Sequence, residues 1–187
     1  MVADGGWKFC EIGQLIERAA ITANAVNSIS GPLLQPEEPG KTEHATEIRL
    51  SAFLRLLNSR DVYRRVYQMR IEPSPLLELL WKNPVAPRSV SRCLRGCATR
   101  IAESEDVRSP ATGRSVAAIE ALVATIQATD WDRLLRSPAD GGRKLPLQAQ
   151  SEELLARVRG IHDLISDGFL NHQIHMRHET QPLFPIS

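Results

Sequence analysis

From Trp7 to Asn27 the chain reads WKFCEIGQLIERAAITANAVN, and its apolar positions Ile12, Leu15, Ile16, Ala19, Ala23 and Val26 recur at helical spacing. Trp7, Cys10 and Ile21 fall off that stripe. The pattern therefore predicts a helix covered on more than one side, with Glu17 and Arg18 held as a charged pair among buried neighbours. An isolated buried charge is costly, so that pair is expected to have partners. A segment with three prolines and two glycines, residues 28–41, breaks the pattern.

Helical period returns and dominates the rest of the chain. A helix over 42–57 places Leu50, Phe53, Leu54 and Leu57 on one face. Asn58 and Ser59 are candidate caps, and a helix over 59–70 turns Val62, Tyr63, Val66 and Tyr67 inward. Pro73 and Pro75 introduce a short apolar helix, LLELLW, at 76–81. Ser89 opens a helix with Val90, Cys93, Leu94, Cys97 and Ile101 on one face. Further helices are predicted over 110–128, briefly around Trp131, and from 148 to 172 or beyond, where Leu154, Val158, Ile161, Ile165 and Phe169 mark the core stripe. No segment alternates with a period of two. The predicted class is all-α, a single-domain helical bundle of about five main helices plus short ones, with a polar and proline-rich tail at 179–187.

Charge narrows the function classes. Lys and Arg number 23 against 22 for Asp and Glu, so no general pull toward nucleic acid or an anionic membrane is expected. No apolar run approaches the roughly 20 residues of a membrane span. The first residues, MVADGGWK, lack a signal-peptide pattern. Three cysteines fit a reducing, cytoplasmic setting better than a disulfide framework.

Few residues carry readable chemistry. Cys93 and Cys97 lie four apart in an apolar stripe and read as core, as does Cys10. His172, His175 and His178 recur every three residues, but they read as a polar helix end rather than a metal site. His162, beside the core stripe, reads as a hydrogen-bonded structural histidine. No metal or other cofactor is expected. No phosphate-loop, dinucleotide or nucleophile-elbow motif occurs. The remaining signal is a set of arginines, among them Arg18, Arg64, Arg65, Arg70, Arg88 and Arg92, at helix starts or beside apolar stripes. They suit solvated faces, or an internal network with Glu17 that fixes helix register or binds an anion.

Two ordered blocks carry a family resemblance. One is Gly6-Trp7, Phe9, Ile12-Gly13 and Ile16-Glu17-Arg18-Ala19; the other is Leu54-Arg55, Tyr63-Arg64-Arg65, Pro73, Pro84 and Pro87-Arg88-Ser89-Val90. Together they resemble the Alpha-E family, bacterial all-helical proteins with a Glu-Arg motif, here Glu17-Arg18. The match runs from Gly5 to about His178 and resembles the later half of longer family members. It implies a chain that pairs with itself or with a sister chain. It also implies a setting of ATP-grasp-type peptide or amide ligases and transglutaminase-like proteins, with Glu17, Arg18, Arg64, Arg65 and Arg88 as motif positions and no established catalytic residue. The first expectation is a non-catalytic helical partner or scaffold of such a ligase. The alternative is an enzyme or half-enzyme that binds an anionic, peptide-like substrate through Glu17 and nearby arginines. Between a binding concavity and a Glu17 sealed among Trp7, Tyr63 and an arginine, the sealed structural bridge is preferred.

Overall fold

The computed structural model describes residues 4–31, 43–103, 110–137 and 145–178, with side chains excepted at 4–6, 43, 110–111 and 168–178. The described residues form eight helices and no strand: α1 (Asp4–Ile29), α2 (Glu43–Leu56), α3 (Arg60–Tyr67), α4 (Pro73–Trp81), α5 (Val90–Ala102), α6 (Pro110–Ala128), α7 (Trp131–Arg136) and α8 (Pro146–His178). The all-α architecture and the division into five long and three short helices agree with the periodicity. Prolines and polar caps explain several of the boundaries. Pro73 occupies the first position of α4, where its missing N–H has no helical partner to lose. Ser89 and Asp130 cap α5 and α7, their side chains accepting from the backbone N–H of Arg92 and Arg133. Asn58 ends α2 in the left-handed region (φ 50°), and the Ser59 N–H returns to the Leu54 carbonyl at 2.8 Å.

Four helices make the core. Helix α1 packs on α5 and α8, and α6 packs on the same two, closing a four-helix ring. The α1/α5 pair is antiparallel. Glu11 meets Arg100 at 2.8 Å, the Cys97 thiol donates to the Ile12 carbonyl at 3.7 Å, and Leu15 lies against Gly96. Helix α8 also runs against α1 and α6. Arg159 reaches Asn24 and Arg157 reaches Thr125, both near helix C-terminal ends. Ile161 and Ile165, further along α8, are buried as well. The short helices gather at the end where α1 and α6 finish. There α4 packs on α7, with the Trp81 and Trp131 rings stacked at 5.7 Å and 17°.

The stripe Ile12, Ile16, Ala19, Ala23 and Val26 is buried, as its spacing predicts, and Leu15 is half-buried beside it. Ala19 and Ala23 keep α1 narrow where two neighbours approach it. On α3 the expectation is corrected at one position. Tyr63 is buried and Val62 and Tyr67 are half-buried, but Val66 is exposed, because α3 ends within two turns and packs only through its Tyr63 side. The 28–41 break begins later than predicted, since α1 continues to Ile29, and most of that segment lies outside the described residues.

Gly13 and Gly160 sit in the interiors of α1 and α8, exposed, with nothing within 4 Å of an added Cβ. Gly13→Ala and Gly160→Ala are each expected to stabilise the fold by about 0.5–1 kcal/mol, read as a higher urea midpoint, because alanine loses less backbone entropy in a helix. Gly96→Ala is expected to gain less, since its Cβ would come 3.1 Å from a Leu15 methyl.

Candidate functional site

The site is built on α1 and the turn that leads into α5. Helix α1 carries a second line of residues at alternating spacings of three and four: Trp7, Cys10, Gln14, Glu17, Ile21 and Asn24. All six are exposed. Trp7 keeps 66% and Ile21 48% of its surface open. This corrects the prediction of a helix covered on two sides, and it removes Cys10 from the core. The physical reason lies in the packing: among the described residues α1 meets α5, α8 and α4, which cover the Ile12–Val26 stripe and leave this line open.

Glu17 sits on that open line and forms no ion pair with a described residue. The sealed bridge among Trp7, Tyr63 and an arginine is therefore overturned. Tyr63 is occupied elsewhere, its hydroxyl donating to the Arg70 carbonyl at 2.8 Å and accepting from the Glu72 N–H at 3.2 Å. Burial raises its pKa. Arg18 takes a different direction from Glu17. It is half-buried, and its position along the antiparallel pair brings it level with the first turn of α5.

Three arginines act on the Cys93 thiol in that turn. Burial pushes the Cys93 thiol up, while Arg18, Arg92 and Arg88 each pull it down. They come from α1, from α5 and from the turn preceding α5. Arg92 donates to the Val85 carbonyl at 2.8 Å, which ties its head to the α4–α5 turn. Arg18 and Arg88 are half-buried, and none of the three forms an ion pair with a described residue. Ser89 lies between Arg88 and the helix, its hydroxyl directed to the Trp81 carbonyl at 3.4 Å.

Of the five predicted positions, Arg18 and Arg88 lie near enough to the Cys93 thiol to act on it, as does Arg92. The signal for Arg92 was its place one turn beyond Arg88, which only the observed start of α5 makes meaningful. Arg64 and Arg65 are not part of this group. They are exposed on α3, which packs on α2 and α4, and Arg64 adds, after burial and Arg55, to lowering the pKa of Arg60. Cys93 and Cys97 are buried core thiols, as predicted, and burial pushes Cys97 up to about 12. His162 is exposed, 3.4 Å from the Asp163 carboxylate, and not part of the core. The side chains of His172, His175 and His178 lie outside the described residues. No described helix is long and apolar enough to cross a membrane.

Fold and motif together define an all-helical domain with a Glu-Arg pair on its first helix. The chain belongs to the Alpha-E family, described as a predicted alpha-helical domain with a conserved ER motif, which it matches over residues 1–170. No curated protein and no solved structure matches the chain.

Proposed function

We propose that this chain is a non-catalytic helical partner of an ATP-grasp-type peptide or amide ligase, working in a bacterial cytoplasmic system that includes transglutaminase-like proteins. The ligase docks on the outer face of α1. The observation that supports this reading is the position of Glu17, exposed and unpaired among the described residues, in line with exposed Trp7 and Ile21. Tryptophan is among the side chains that most often dominate protein interfaces, and Trp7 stands open on this line. A motif residue on the open face, rather than in the core, is placed to meet another molecule and contributes little to folding.

The test separates recognition from folding. Glu17→Ala is expected to leave stability within about 0.5 kcal/mol of wild type, as for surface substitutions without a buried partner. The same variant, and Trp7→Ala, are expected to weaken binding of the purified ligase by tenfold or more in calorimetry. Wild-type affinity in both folded variants would exclude this face as the docking surface.

A further inference from the structure

Helix α2 is apolar on two opposite faces. Leu50, Phe53, Leu54 and Leu57 are buried, as their spacing predicts. Ile48, Ala52 and Leu56 recur every four residues on the other side, and all three are exposed, Ile48 at 56% and Leu56 at 81%. Single apolar residues at a surface need no explanation, but this stripe is rimmed by charge. Helical geometry sets exposed Arg55 along one edge of it and exposed Arg49 along the other. We propose that the outer face of α2 is a docking surface for an acidic amphipathic helix of a partner protein. The partner's apolar side chains seat across Ile48, Ala52 and Leu56, and its carboxylates meet Arg49 and Arg55. This surface is separate from the outer face of α1 and does not depend on a ligase docking there.

The packing holds that face outward. Helices α2 and α3 form an antiparallel hairpin. At one end the left-handed Asn58 turns the chain, and the Ser59 N–H donates to the Leu54 carbonyl at 2.8 Å. At the other end Arg70, just past α3, reaches back to Glu47 at 3.3 Å. With the Leu50–Leu57 side buried, the Ile48–Leu56 side cannot turn inward without exposing the core. The face is therefore a fixed feature of the fold and not a frayed end.

Charge and shape identify the occupant. Between His44 and Arg70 six arginines stand against two carboxylates, Glu47 and Asp61, in a chain that is otherwise nearly balanced at 23 cations and 22 anions. Arg64 and Arg65, exposed on the adjoining α3, add to the same positive field. Such a field attracts an acidic partner and repels a basic one. A second copy of this chain seated face to face would oppose arginine to arginine. The apolar stripe runs large, small, large. Ala52 leaves a notch between Ile48 and Leu56, which lie about 12 Å apart along the axis at the helical rise. A notch of that kind receives a side chain from a facing helix, as ridges pack into grooves. A bilayer surface has no use for it. Apolar anchors flanked by charges of one sign are how one helix selects another of opposite sign.

The experiment uses the full chain, labelled with nitrogen-15. The probe is a synthetic helix-forming peptide with leucines every fourth residue and glutamates beside them; its control carries lysines in place of the glutamates. Saturable shifts are expected at the amides of α2 with the glutamate peptide, weakening as sodium chloride is raised, and none with the lysine peptide. Leu56→Ser and Arg55→Glu are each expected to weaken the apparent Kd tenfold or more, with Arg55→Lys retaining most of the affinity. Leu164→Ser, which removes an exposed leucine from α8, is expected to bind as wild type does. The substituted side chains are exposed, and circular dichroism confirms that each variant is folded. Absence of saturation at α2 would overturn the proposal, as would equal binding of the lysine peptide or an equal loss in Leu164→Ser. Binding to phosphatidylserine–phosphatidylcholine vesicles without peptide binding, lost in Leu56→Ser, would overturn it in favour of a membrane surface. Self-association lost in Leu56→Ser, again without peptide binding, would overturn it in favour of a second copy. None of these outcomes bears on docking through Trp7 and Glu17, which is read out by ligase binding.

Discussion

Trp131→Ala is expected to lower the stability of the fold by about 3–5 kcal/mol, the usual range for deleting a buried tryptophan. Trp131 is 1% exposed and stacks on Trp81, which is fully buried. Neither indole N–H has a hydrogen-bond partner among the described residues. What the substitution removes is therefore packing, with an aromatic pair of about 0.5–1.5 kcal/mol included in it. The consequence reaches beyond one side chain. Helix α7 has six residues, too few to persist without tertiary contacts, and it packs on both α4 and α8 through this region. Urea denaturation followed by circular dichroism checks the result. Trp131→Phe is expected to lose less than half as much, because a smaller ring still covers Trp81. A loss below about 1 kcal/mol for the alanine variant would show that α7 does not hold the end of the bundle.

The second large effect is a loss of stability at alkaline pH. Cys97 is buried, and its thiol is pushed from an ordinary value near 9 up to about 12, first by burial and then by Cys93. The folded state thus keeps the proton that the unfolded state releases. A group with its pKa raised on folding gives its full contribution below the unfolded value and loses it as pH climbs toward the folded one. Stability should hold up to about pH 9 and then fall toward pH 12, with a limiting slope of about 1.4 kcal/mol per pH unit from this thiol. Cys93 shifts in the same direction and adds to the fall. Urea midpoints measured across this range for wild type and Cys97→Ala check the assignment. The alanine variant should be less stable at neutral pH, having lost a buried side chain, yet show a shallower alkaline slope. An unchanged slope would mean that Cys97 does not carry the effect.

The periodic stripes were the most legible part of this chain. Ile12, Ile16, Ala19, Ala23 and Val26 on α1, and Val90, Cys93, Leu94, Cys97 and Ile101 on α5, are buried as their spacing predicts. The Glu-Arg motif was legible as a motif but not as a geometry. Trp7, Cys10 and Ile21 looked like a second buried side because apolar residues off the main stripe usually have cover. Among the described residues they stay exposed, and Glu17 lies in the open along the same line.

Helix formation and its punctuation were determined by the sequence alone, because they depend on residues three or four apart: the i, i+3, i+4 stripes, the Ser89 and Asp130 caps, and the proline at the start of α4. Only the tertiary structure decided which face of α1 is covered and which arginines lie beside Cys93. Arg18 and Arg88 are seventy positions apart in the chain, and what joins them is the antiparallel register of α1 on α5, set by the seating of Leu15 on Gly96 and Cys97 on Ile12. A register of that kind is a property of two packed surfaces. No periodicity within either helix contains it.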